Sequence, residues 1–189
     1  GSPTSITSFM AACVKLAAFG AMLRIMYVAL GGLRWDWRPM FWVIAILTMF
    51  VGVIIALTQT DVKRMLAYSS VAHAGFLLIA VIATNEQGLG GAMFYLLAYG
   101  VATIGAFGVV SLVRDSTGEA THLSSWAGLG KRSPWVAGAF TVFLLSFAGI
   151  PLTAGFIGKF AVFEAGVAGG AGWLVVAAVL ASAIAVFFY

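Results

Sequence analysis

Gly149-Ile150-Pro151-Leu152-Thr153-Ala154-Gly155-Phe156-Ile157-Gly158-Lys159-Phe160 is the stretch that decides the fold of this chain. It lies inside an apolar segment running from about Trp135 to Gly166, longer than the roughly 20 residues one helix needs to cross a bilayer. Pro151 has no backbone N–H and its ring collides with the preceding turn, so a continuous helix through this point is not expected. Gly149 and Gly155, with Gly158, loosen the backbone on both sides of the proline. Eight residues past Pro151 comes Lys159, with no acid within one helical turn of it. A broken helix in lipid is tolerated only where its freed backbone groups face protein or water. Together with an intramembrane lysine it points to an ion pathway. The plainer reading, a proline kink with a lysine snorkelling to the headgroups, fits less well. Phe160, Ala161, Val162 and Phe163 continue the apolar run beyond the lysine.

Composition places this stretch in a membrane. Of the 189 residues, 62% are hydrophobic and 8% charged, with a mean hydropathy of +1.08, whereas a soluble domain carries about a quarter charged residues. The period-two alternation of barrel strands is absent, so the predicted class is all-α, a polytopic transmembrane helix bundle of about six helices with one discontinuous. Lys and Arg number 10 against 6 Asp and Glu. They are scattered at the ends of apolar runs rather than gathered in a stripe, which argues against a nucleic-acid partner. Cys13 is the single cysteine, which excludes an internal disulfide and leaves no metal-ligand cluster. With no initiator methionine and no signal peptide, the chain reads as a segment of a longer polytopic protein.

Six apolar segments are predicted. The first runs from about Thr4 to Leu30, carries Lys15 near its middle, and ends at Gly31-Gly32. Arg34-Trp35-Asp36-Trp37-Arg38-Pro39 then reads as a loop at headgroup level, with Asp36 paired to Arg34 or Arg38. The second segment, about Phe41 to Leu57, has no ionisable residue. Asp61 is the expected N-cap of the third, which lasts to about Ala83. His73 follows Lys63 by ten residues, about 15 Å along a helix and hence near mid-membrane. The fourth, about Leu89 to Val113, brings Tyr95, Tyr99 and Thr103 onto related faces. Its Gly100, Ala102, Gly105 and Gly108 offer small surfaces for close packing. Thr121 to Trp126 suits a short interfacial helix. The broken segment and a sixth, about Trp173 to Tyr189, follow. Counting basic residues puts the side holding Lys63, Arg64, Arg114, Lys131 and Arg132 in the cytoplasm.

Three ionisable groups thus fall at membrane depth on three helices: Lys15, His73 and Lys159. Lysine there costs about 2.5–3.5 kcal/mol on insertion scales, so such groups face a bundle interior, water or one another. Lysine suits proton exchange because burial disfavours its charged form, and histidine can pass a proton through its two ring nitrogens. Tyr68, Ser69, Ser70, Tyr99 and Thr153 are the candidate supports for bridging water. A packed histidine bonded to a carbonyl remains the bland account of His73. Lys63 and Arg64 fit positive-inside placement, and Glu164 a helix-end cap or salt bridge. A b-type haem needs two intramembrane histidines, and only His73 qualifies. No phosphate-cradling loop or nucleophile triad is present.

Three stretches carry a resemblance. They are Ala12-Cys13-Val14-Lys15-Leu16-Ala17-Ala18-Phe19-Gly20, the run from Gln59-Thr60-Asp61-Val62-Lys63-Arg64 through Tyr68-Ser69-Ser70 to His73-Ala74-Gly75-Phe76, and the opening one. In order and spacing they resemble the antiporter-like membrane subunits of respiratory complex I, the proton-pumping NADH:quinone oxidoreductase of bacteria, over essentially the whole chain. Lys159 where the M-type branch has glutamate, Tyr99 in Leu97-Ala98-Tyr99-Gly100 where it has histidine, and Thr153-Ala154-Gly155-Phe156 favour the N-type branch. The D-type subunit of multisubunit sodium/proton antiporters is the sibling alternative. The resemblance implies two inverted five-helix repeats, each with a broken helix. Residues 1–30 would be the last helix of the first repeat and 31–189 the second. It implies Lys15 as the central connecting lysine, His73 as a relay position and Lys159 as the terminal residue of a half-channel. The family's glutamate–lysine pair of the first repeat would lie before Gly1. It further implies that NADH, FMN, iron–sulfur clusters and quinone bind in other subunits, with none in this chain. Its expected partners are other membrane subunits and lipid.

Overall fold

The computed structural model describes residues 2–189. The chain is a helical bundle. Helix α1 spans Thr4–Ala29, α2 Arg34–Leu57, α3 Val62–Ala83 and α4 Glu86–Leu112. These four are long and apolar enough to cross a membrane. They are followed by α5 (Pro134–Ala148), α6 (Ala154–Ala168) and α7 (Gly172–Phe188). A two-stranded antiparallel hairpin, Arg114–Asp115 with Gly118–Glu119, and a 3-10 turn at Leu123–Trp126 join α4 to α5.

Helix α3 is the centre of the bundle. From Phe76 to Ala83 every residue is buried, as expected of a helix apolar all round. Its start is fixed by Asp61, whose carboxylate accepts from the Arg64 N–H at 2.9 Å as anticipated. Helix α2 lies antiparallel against it with almost no gap. A Cβ on Gly52 would come within 2.6 Å of the Ala72 nitrogen, and one on Gly75 would strike Met49. Small residues allow this approach between membrane helices. Asn85 caps α4 by accepting from Gly88 N–H at 2.6 Å.

Two expectations are corrected. The stretch Arg34–Arg38 is not a loop but the first turns of α2, with Pro39 inside the helix. Trp37 Nε1 donates to the Leu30 carbonyl at 3.0 Å and Arg38 donates to the Gly169 carbonyl, so the turn is pinned from both sides. Asp36 then sits in a first helical turn, where the dipole favours an acid, and Arg38 is engaged with backbone instead. The small residues of α4 also divide unequally. The Phe143 ring presses on Gly105, whereas a Cβ on Gly100 or Gly108 would meet nothing in this chain.

The bundle has two polar ends. One gathers the start of α1, the start of α3 and the hairpin, where Thr4 Oγ1 donates to Glu119 at 2.5 Å. Asp115, in the hairpin turn, accepts from the Thr117 hydroxyl and N–H at 2.7 and 2.8 Å, which holds its exposed carboxyl below the usual range. Arg34, Arg38 and Glu86 lie at the opposite end. Trp135 at one end and Trp35 and Trp173 at the other are exposed, where membrane proteins carry aromatic belts.

Candidate functional site: a buried polar line

The predicted break is present. Helix α5 stops at Gly149, whose φ of +77° is left-handed, and Leu152 follows in the same region at +77°. The chain restarts at Thr153, which accepts from Phe156 N–H at 3.4 Å and donates to the Ile150 carbonyl at 2.6 Å. Gly155 lies so close to Ser146 that a Cβ there would overlap the Ser146 carbonyl oxygen. Its N–H donates to Ser146 Oγ at 3.1 Å. Both pieces run antiparallel to α4: Phe143 faces Gly105, Gly158 faces Tyr95, and Ala161 faces Gly91. Asn85 donates to the Ala165 carbonyl at 3.1 Å at the far end. The two are halves of one traverse, not a hairpin.

Breaking α5 leaves its last carbonyls without intrahelical partners, at the negative end of the helix dipole. Lys159, 5% exposed, takes them. Its Nζ donates to Phe147 O at 2.8 Å, to Ala148 O at 3.3 Å and to Ser182 Oγ on α7 at 3.0 Å. Three acceptors match the three protons of an ammonium. The Phe76 ring closes the site 4.9 Å away, an attractive cation–π arrangement.

Lys15 meets α3 at Ser70, six residues before the Phe76 that closes the Lys159 site. A π-turn at Met10–Val14 precedes it; its extra residue rotates the following helix by about 100°. Lys15 Nζ donates to the Ser70 carbonyl and to Ser70 Oγ, the latter at 2.6 Å. The Tyr99 ring lies between Lys15 and His73, 4.8 Å from Nζ and 4.5 Å from the imidazole, centre to centre. His73, 2% exposed, pairs at Nδ1 with the Tyr95 hydroxyl and at Nε2 with the Tyr189 hydroxyl, 3.1 Å away. Tyr189 also meets Ser69 Oγ. A cavity of about 10 Å³, bounded by His73, Tyr95, Tyr99, Ser146, Phe147 and Lys159 among others, joins the imidazole side to Lys159. That is room for about one water.

Of the predicted residues, the structure brings Lys15, Ser70, Tyr99, His73, Ser69 and Lys159 into this line, with Gly149, Pro151 and Gly155 shaping the break. It leaves out two. Tyr68 shares a helix face with Ala72 and Gly75, turned to α2, because it is one residue out of phase with Ser69. Thr153 spends its hydroxyl on capping α6. Glu164 is exposed and outside the line. Sequence reading missed Ser146, Ser182 and Tyr189 and left Tyr95 as a helix-face neighbour. Ser182 is the one hydroxyl in an otherwise apolar helix, a signal that was there to be used.

Fold and site together define a polytopic membrane protein built on a discontinuous helix, with cations held inside the bundle. The chain belongs to the NADH:quinone oxidoreductase/Mrp antiporter transmembrane family, whose sequence profile matches residues 1–185. It is 66% identical over 189 residues to NADH-quinone oxidoreductase subunit N 3 of Streptomyces griseus, covering 100% of this chain and 34% of that protein. To subunit N of Rhodococcus opacus it is 67% identical over 189 residues, covering 100% and 35%. It thus spans about a third of the length of the curated relatives it matches. Among solved structures, a chain of respiratory complex I from Thermus thermophilus is similar with a TM-score of 0.85 at 37% identity, covering 100% of this chain and 41% of that one. A chain of the Mrp complex from Dietzia is similar with a TM-score of 0.82 at 28% identity, covering 92% and 32%.

Proposed function

We propose that this chain is the proton-conducting part of an N-type antiporter-like subunit of a bacterial NADH:quinone oxidoreductase. Protons move between Lys15, His73 and Lys159 through hydroxyls and bound water, driven by redox chemistry in other subunits. Residues 1–30 close the first repeat and 31–189 form the second. The observation that carries the reading is the pair of lysines held by separate acceptor sets on either side of one imidazole, inside a bundle of membrane length. Moving a proton at one lysine alters the field at the next, because charges interact strongly at low dielectric. The chain takes part in the translocase without binding NADH, FMN, iron–sulfur clusters or quinone itself. Its partners are the other antiporter-like and quinone-module subunits and the lipid of the bacterial inner membrane, with the end bearing Lys63, Arg64, Lys131 and Arg132 on the cytoplasmic side. The subunit names of the relatives at 66% and 67% identity favour this over a sodium/proton antiporter subunit, since the Mrp chain stands at 28%.

The test is Lys159→Ala in the whole complex, reconstituted in liposomes. NADH-driven proton uptake should fall about a hundredfold or more, the scale of a lost proton-transfer group, with the complex assembled. Unchanged pumping in an assembled variant removes Lys159 from the pathway. Sodium flux that needs no NADH would favour the antiporter reading.

A further inference from the structure

His73 is hydrogen-bonded at both ring nitrogens, to Tyr95 at Nδ1 and to Tyr189 at Nε2, and Tyr189 is bonded onward to Ser69. Ser69 and His73 are each 2% exposed and Tyr95 is 3% exposed. A hydroxyl carries one proton, so donors and acceptors must alternate along such a chain. With the ring proton on Nδ1, that nitrogen donates to Tyr95, Nε2 accepts from Tyr189, and Tyr189 accepts from Ser69. With the proton on Nε2 every one of these bonds reverses. The chain therefore has two self-consistent orientations, set by the tautomer. Both keep the ring neutral. An imidazolium would add a third charge between two lysines in an interior where, among the described residues, no carboxylate is buried, which is costly.

We propose that His73 is a two-state tautomer switch and that the Tyr95 and Tyr189 hydroxyls are obligatory relay groups on its two sides; this rests on the proton-conducting reading above. In one passage Tyr189 gives its hydroxyl proton to Nε2 and takes another from the Ser69 side. Nδ1 gives its proton to the Tyr95 oxygen, whose own hydroxyl proton leaves to a water in the cavity shared with Lys159. One proton enters and one leaves, the ring ends neutral with its proton moved from Nδ1 to Nε2, and nothing is oxidised or reduced. Reorientation of the ring and hydroxyls resets the chain.

The experiment uses the whole complex in liposomes with four single variants: Tyr95→Phe, Tyr189→Phe, Tyr189→Leu and Lys159→Ala. Phenylalanine keeps the ring contacts of Tyr189 with Phe147 and Phe188 and removes only the hydroxyl. Both phenylalanine variants should lower protons pumped per NADH oxidised about a hundredfold or more, with Tyr189→Leu no worse than Tyr189→Phe. If the phenylalanine variants pump normally while Lys159→Ala does not, the switch is wrong and the relay stands. Impairment of Tyr189→Leu with a normal Tyr189→Phe likewise reduces Tyr189 to packing. Normal pumping in all four removes the relay as well.

Discussion

The two buried lysines are held by different devices. Lys15 rides on a helix that is kept going through π-turns, and borrows its acceptors from Ser70 in the middle of α3. A carbonyl inside an intact helix is already shared with the N–H four residues on. Lys159 sits where a helix has been stopped, and its two carbonyls, Phe147 and Ala148, come from the terminal turn that has no such commitment. The third acceptor, Ser182, comes from another helix. The difference teaches that the break at Pro151 builds a cation cradle, and an unbroken helix supplies only a weaker one.

The comparison breaks most completely if the cradle can be spoiled without touching the lysine. Gly155→Ala does this. Its new Cβ would occupy the position of the Ser146 carbonyl oxygen, so α6 must shift away from the end of α5. Overpacking of this kind costs about 1–3 kcal/mol and occasionally more. We expect the amount of assembled complex to fall and pumping in what assembles to drop with it, because the carbonyls that hold Lys159 are displaced. Gly100→Ala is the control, since a Cβ there meets nothing in this chain. Equal behaviour of the two variants, measured by native electrophoresis and proton uptake, would refute the role of the tight junction.

Lys15→Met comes next. Methionine fills most of the lysine volume without its charge, leaving Ser70 to keep its helix bonds. Pumping should fall several-fold with assembly unchanged, less than for Lys159→Ala. A larger loss at Lys15 would reverse the order in which the two sites matter.

How much of this was legible beforehand follows from the same contrast. The break could be read because its signals, proline, glycines and an isolated lysine, are adjacent in sequence. The placement of Lys15 and His73 well inside their helices, away from either end, could be read because helical rise turns residue count into distance. Phase around the helix axis was harder. Ser69 and Ser70 reach the line, but Tyr68 beside them faces α2, and nothing local separates three consecutive polar residues. Thr153 misled for a related reason: a hydroxyl at a helix start is drawn to cap it. Ser182 and Tyr189 reach their partners across 23 and 116 residues, a pairing that only tertiary packing creates. The α2 boundary failed because indoles and guanidiniums after Gly31-Gly32 read as a headgroup-level loop, while contacts to Leu30 and Gly169 pin the same residues as helical turns.

The smallest effects sharpen the contrast most, because they remove one acceptor from each lysine. Ser182→Ala deletes one of the three partners of Lys159 and puts nothing in its place. Hydrogen bonds to charged groups are worth about 1.5–3 kcal/mol, and about 1.4 kcal/mol is tenfold. The remaining two carbonyls and the Phe76 ring still hold the ammonium, so the expected loss of pumping is several-fold rather than complete. Ser70→Ala deletes the Oγ acceptor of Lys15 but keeps the backbone carbonyl of residue 70, because alanine has one too. It should therefore cost less than Ser182→Ala, because Lys15 keeps an acceptor at the same residue. Proton uptake by the two variants, side by side in the assembled complex, decides the matter. If Ser70→Ala is the more damaging, the side chain rather than the backbone holds Lys15, and the two sites are more alike than the broken helix suggests.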